Sequence, residues 1–178
     1  MIRQIPNFVS FTRGMGGPAV AVLLLGYGLN YVAFWVFIGA ICTDLVDGWI
    51  ARRLDAFTDI GKWLDPLADK VLTNTVWISL WAVDFAPAWL ALGSVVRDLV
   101  VIAGWSYVAR RGKRFSVNAI GQVGVAFEGV ALSVLLFHGP WLDVHWPSVG
   151  TILGFMSLAL SLASVAGYVI TGPRGPDP

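Results

Sequence analysis

Residues 43–70 read TDLVDGWIARRLDAFTDIGKWLDPLADK, and the spacing of their aspartates decides how the chain is read. On a helix, Asp44, Asp47, Gly48, Ala51 and Arg52 fall at offsets 0, 3, 4, 7 and 8, which is one face. Gly61, Asp65 and Asp69, at offsets 0, 4 and 8, share a face of a second helix. Two antiparallel helices joined by a short basic connection would aim four carboxylates at one shared volume. Such a cluster repels itself and raises its own pKa values unless cations neutralise it. An all-oxygen donor set favours a hard cation such as Mg²⁺, Mn²⁺ or Ca²⁺ over zinc. Two such ions, about 3.5–4 Å apart, can clamp a transferring phosphoryl group. Gly48 and Ala51 leave room for a bulky ligand against the helix, and Arg52 offers a guanidinium suited to phosphate. Helix caps or interface charges paired with Arg52, Arg53 and Lys62 would account for any one aspartate. They do not account for four on matching faces.

The surroundings of this stretch are apolar. The 178 residues are 57% hydrophobic and 13% charged, with a mean hydropathy of +0.73. Soluble domains carry about 25% charged residues, so the expected solvent is lipid. A net charge of +1 excludes a strongly basic nucleic-acid binder, and the single cysteine, Cys42, excludes an intrachain disulfide framework. Cys42 reads as a small packing residue. Hydrophobic runs predict an all-α integral membrane protein with six transmembrane helices over roughly 16–29, 31–53, 62–83, 86–109, 116–138 and 148–171. Ahead of them, Ile2, Ile5, Phe8, Val9 and Phe11 beside Arg3 and Arg13 predict a short N-terminal amphipathic segment lying in the interface. Ten of the twelve basic residues, all but Lys70 and Arg97, fall on one side of a six-span arrangement. The positive-inside rule then places both termini in the cytoplasm. No repeat or linker divides residues 1–178, which read as a single domain.

The stretch from Asp44 to Asp69 resembles the signature of the CDP-alcohol phosphatidyltransferases, DxxDGxxAR followed by eight residues and GxxxDxxxD. All eight fixed positions are present: Asp44, Asp47, Gly48, Ala51, Arg52, Gly61, Asp65 and Asp69. The resemblance implies transfer of a phosphatidyl group from CDP-diacylglycerol to an alcohol acceptor, with release of CMP and two Mg²⁺ or Mn²⁺ ions. It assigns Asp44 and Asp65 to both metals, Asp47 to one and Asp69 to the other, with Asp69 also the general base. Gly48, Arg52 and Thr58 match positions that hold the CDP moiety, with Ala51 and Gly61 packed beside it. The segment containing Asn7 and Ser10 resembles the family's N-terminal nucleotide contact. The family also implies a cytoplasmic-side site and commonly dimerises. The early start of its pattern, with no transit extension, favours a bacterial cytoplasmic membrane.

The acceptor is expected to be glycerol 3-phosphate or phosphatidylglycerol. Residues 5–13, IPNFVSFTR, look like the PNxLTxxR opening of phosphatidylglycerophosphate synthases and eukaryotic-type cardiolipin synthases, with Ser10 in place of threonine. Arg97–Asp98 is similar to the cardiolipin synthase branch. Trp105 stands where the other branch has a second arginine, and Ala119 replaces the threonine of an NTxxQ element formed by Asn118 and Gln122. A mid-span arginine is expensive. Arg97 either binds an acceptor phosphate, with Lys70 a second candidate, or pairs with a carboxylate on another helix such as Glu128. Asp98 is set about 100° away from it around a helix. The alternative function is a membrane transporter or cation channel using the aspartates; against it, no acidic chain continues to the other face.

Overall fold

A computed structural model describes the backbone of residues 14–54, 59–110, 119–139 and 145–171. Within those stretches it describes all side chains except those of 44–54, 59–66, 105, 107–110 and 168–171. The described backbone is helical with short connections. The helices are α1 (Gly14–Gly26), α2 (Asn30–Leu54), α3 (Asp59–Ala82), α4 (Ala88–Arg110), α5 (Ala119–Phe137) and α6 (Trp146–Thr171). Among the described residues, α5 and the Trp146–Gly167 part of α6 are long and apolar enough to cross a membrane. The expected N-terminal interfacial segment lies outside the described residues.

Local chemistry sets the ends. The last turn of α1, Val22–Gly26, widens to a π-turn, and Gly28 takes a left-handed φ of +64°, a conformation that suits glycine. Asn30 then donates its side-chain amide to the carbonyls of Leu136 and Phe137, at 3.4 and 3.2 Å. The start of α2 is thereby fastened to the end of α5. Helix α3 stops in a Schellman motif: Phe85 N–H bonds the Leu80 carbonyl and Asp84 N–H bonds that of Trp81. Asp84 occupies the left-handed position with φ 59°. Pro87 and Pro147 sit at or beside the first turns of α4 and α6, where a missing N–H costs nothing.

Three connections share one end of the bundle. Phe85 stacks on His138 with ring centroids 3.6 Å apart, and Phe137 meets both Tyr31 and Trp146 edge-on. By helix direction the opposite end holds the α2–α3 junction and the C-terminus of α4. The core between is built from Val20 and Leu24 of α1, Phe37 of α2, Leu72, Val76, Trp77 and Leu80 of α3, Leu90 of α4, and Leu132, Leu135 and Leu136 of α5. Cys42 is exposed on α2 and is not the packing residue its size suggests.

Candidate functional site

The backbone places the eight signature positions on consecutive helices. Asp44, Asp47, Gly48, Ala51 and Arg52 occupy the last part of α2, and Gly61, Asp65 and Asp69 the first half of α3. Their faces are those that a continuous helix gives, because neither helix breaks within the motif. Of these eight, Asp69 alone has a described side chain, which is partly buried. Asn7, Ser10 and Thr58 lie outside the described residues. Among the described residues no group of three or more His, Cys, Asp or Glu side chains is gathered to hold a metal.

The turn carrying Asp69 is packed from two sides. On one side lies α1, which begins in the glycine-rich run Gly14, Gly16 and Gly17. A Cβ on Gly17 would stand 3.1 Å from Leu72 Cα and 3.2 Å from the Val71 carbonyl; one on Gly16 would meet Ala40 of α2 and Leu72 of α3, each at 3.4 Å. Gly14 faces Ala68, the neighbour of Asp69, at 3.8 Å. The segment holding Asn7 and Ser10 therefore leads into residues that touch this turn. The glycine run is a signal that sequence reasoning passed over.

On the other side is a buried ion network that draws on four helices. Lys70 of α3 places its ammonium 3.0 Å from Asp98 Oδ1 and 3.6 Å from Glu128 Oε2. Arg97 of α4 reaches Glu128 Oε1 at 2.6 Å and Asp98 Oδ1 at 2.7 Å through one terminal nitrogen. Its other terminal nitrogen donates to the Ser161 hydroxyl of α6 at 3.0 Å. Trp77 Nε1 donates to Glu128 Oε1 at 3.1 Å. Two cations face two carboxylates, so the cluster is neutral overall, the condition under which buried charges are tolerated. The Arg97–Glu128 pair was one of the two sequence readings of Arg97. Its contact with Asp98 was not expected, because a 100° offset separates the two Cα–Cβ directions; the long arginine stem curls back across it. Trp77 and Ser161 were missed altogether. Ser161 belongs to a run of small buried side chains, Ser157, Ser161 and Ser164, that did give a signal.

The described helices carry the eight signature positions on α2 and α3, with a buried ion network beside the turn of Asp69. Residues 3–165 match the CDP-alcohol phosphatidyltransferase family, and the chain belongs to it. It is 37% identical over 129 residues to the CDP-diacylglycerol–glycerol-3-phosphate 3-phosphatidyltransferase of Bacillus subtilis, covering 72% of this chain and 63% of that protein. It is 43% identical over 108 residues to the CMP-forming cardiolipin synthase of Rattus norvegicus, covering 60% of this chain and 35% of that protein. The Escherichia coli glycerol-3-phosphate 3-phosphatidyltransferase is 33% identical over 144 residues, 78% of this chain and 77% of that protein. The chain thus spans less than two thirds of the first two relatives.

Proposed function

We propose that the protein transfers the phosphatidyl group of CDP-diacylglycerol to an alcohol, glycerol 3-phosphate or phosphatidylglycerol, and releases CMP. The observation that carries this is the complete eight-residue signature, borne by two consecutive helices in a chain that belongs to the family. The relatives named above include both a glycerol-3-phosphate enzyme and a CMP-forming cardiolipin synthase, which supports the two acceptors ahead of inositol phosphate, serine or choline. All six helices are read as spans of one domain, with both termini cytoplasmic.

The family is generally metal-dependent, and the donor set suits a hard divalent ion: four carboxylates, with the only cysteine in α2 and both histidines beyond the far ends of the helices. Asp44, Asp47, Asp65 and Asp69 would hold two Mg²⁺ or Mn²⁺ ions, which when bound neutralise pyrophosphate charge. The chain's own residues do the remainder. Asn7, Ser10, Gly48, Ala51, Arg52, Thr58 and Gly61 seat the CDP group, the glycines and alanine by leaving space and Arg52 by charge. Asp69 takes the proton of the acceptor hydroxyl as that oxygen attacks phosphorus, and the CMP phosphate leaves. Lys70, in this turn and partly exposed, is the cation placed to meet an anionic acceptor, while Arg97 is buried against Glu128 and Asp98 behind it. Positioning is most of what a phosphoryl-transfer site provides.

The test is CMP release by detergent-purified protein from CDP-diacylglycerol with Mn²⁺, comparing glycerol 3-phosphate, phosphatidylglycerol and no acceptor. Release that depends on one acceptor is the expected result and names the product. No release with these or with a wider alcohol panel would remove the proposal.

A further inference from the structure

The buried ion network is more polar than packing requires. Replacing such a cluster with apolar side chains of similar volume is often neutral or stabilising, and a network with unmet valences is worse than an apolar core. Among the described residues, Arg97 Nε and Asp98 Oδ2 are buried without a hydrogen bond, and Glu128 Oε2 has only the 3.6 Å contact with Lys70. The cluster is therefore a poor device for stability alone, and its placement points elsewhere. Arg97, Asp98 and Glu128 are at most 4% exposed, whereas the Lys70 side chain reaches the surface at 16%. Lys70 directly follows Asp69. The Thr73 hydroxyl donates to the Asp69 carbonyl at 3.2 Å and lies 3.5 Å from that of Lys70. One turn of α3 is thus held through its backbone by Thr73 and through a side chain by Asp98 and Glu128.

We propose that Glu128 is a positioning residue: from α5 it holds Arg97 and, with Asp98, the Lys70 ammonium, and so fixes the turn of α3 that presents Asp69. This rests on the reading of Asp69 as the base. The charges explain why Glu128 is the control point. It engages both cations of the network and the Trp77 indole. Without its charge, Lys70 and Arg97 face one carboxylate between them. Arg97 is enclosed by Asp98 and Ser161, so Lys70, with its path to the surface, is the group that moves. The turn bearing Asp69 is then left with the Asp98 contact alone, a carboxylate that Arg97 also draws on.

Glu128→Gln keeps the volume and one acceptor oxygen while removing the charge. In the full-length chain in detergent, kcat for CMP release is expected to fall about tenfold, the weight of a charge-assisted contact. The KM for CDP-diacylglycerol should stay within about threefold, since binding is not what changes. Amide exchange should quicken over residues 67–75 and stay unchanged in α6. Lys70→Met should also lower kcat, and the Lys70→Met/Glu128→Gln double variant should be no worse than the worse single variant, as for residues that act through one another. Trp77→Phe, which removes one donor and keeps all four charges, should shift kcat and exchange the same way by less, and it serves if Glu128→Gln does not fold. Additive losses in the double variant, or unchanged exchange over 67–75 in the Glu128 and Trp77 variants, would overturn the proposal. Exchange requires no turnover. A wild-type chain that releases no CMP therefore defeats the catalytic reading, while the positioning of the turn is still decided by exchange.

Discussion

Asp69 is the signature carboxylate for which position and surroundings are both visible. It is partly buried on α3, its carbonyl accepts from Thr73, and α1 packs one residue away through Gly14. A base must reach the hydroxyl it deprotonates, and general-base contributions are about 10²–10⁴ in rate. Asp69→Asn keeps the shape and removes the basicity, so CMP release should fall by about 10²–10⁴ while the variant still binds CDP-diacylglycerol. Turnover and lipid-nucleotide binding measured on one preparation check this, and an unfolded variant would assign Asp69 to structure instead. At this scale the sequence carries types and spacings but not the reach of long side chains. The eight motif positions were legible because helical periodicity alone fixes their faces. The Arg97–Asp98 contact was not, since it depends on how a flexible stem folds back once Glu128 and Ser161 have placed its head.

Helix α5 meets α6 along a seam of small residues. Gly121, Gly124, Glu128, Ala131 and Leu135 recur at intervals of three and four and are buried. On α6, Gly150, Ser157, Ser161 and Ser164 fall on the same stripe, with Gly154 between them packed on Leu90 and Trp77. Small residues allow backbones to approach, which is how helices associate where the hydrophobic effect is absent. The approach is close: Ser157 donates to the Gly124 carbonyl at 2.8 Å, and a Cβ at Gly124 would lie 2.9 Å from Ser161 Oγ. Gly124→Leu should therefore destabilise the protein in detergent by about 1–3 kcal/mol, the usual cost of overpacking. Gly39→Leu, on an open face of α2 with nothing within 4 Å of the added Cβ, should be near neutral. Thermal unfolding of the two variants side by side gives the comparison, and equal losses would mean that the seam is not tight. The added side chain would also meet Ser161, so Gly124→Leu should disturb the hydroxyl that anchors Arg97. Helix existence was readable because apolar runs are long and interrupted by charge; the ends of α2 to α6 fall within three residues of their expected places. The π-turn of α1 and the Schellman stop at Asp84 were not, because aspartate at a left-handed position carries none of glycine's signal.

Among the described residues, charge is buried within an apolar core while large apolar side chains are exposed. Arg97, Asp98 and Glu128 are buried, while Val96, Leu99 and Val100 beside them are 58%, 59% and 53% exposed. Exposed apolar surface of this kind fits the proposed lipid setting. In that setting the buried charges would have to neutralise one another. Helices of 19–26 residues are long enough to cross a hydrocarbon layer about 30 Å thick. The aromatic end of the bundle, where Phe85, Phe137 and His138 gather, has no lysine or arginine in its connections at 28–29, 83–87 and 138–145. The other end carries Arg52, Arg53 and Lys62 near the α2–α3 junction and Arg110, Arg111, Lys113 and Arg114 after α4. Under the proposed six-span arrangement, this asymmetry would orient the chain with the aspartate end inward. Reporter fusions following residues 57, 112 and 178 should be active in the cytoplasm, and those following residues 86 and 142 on the opposite face. Neutralising Arg110, Arg111, Lys113 and Arg114 together should leave a mixed population, because four of the ten orienting charges are removed. Fusions reporting one side throughout would break the six-span arrangement, and a clean reversal would open the aspartates on the outer face. The orientation assay and the CMP-release assay therefore bear on the same end of the molecule by independent routes: one asks which compartment the carboxylates face, the other what they do there.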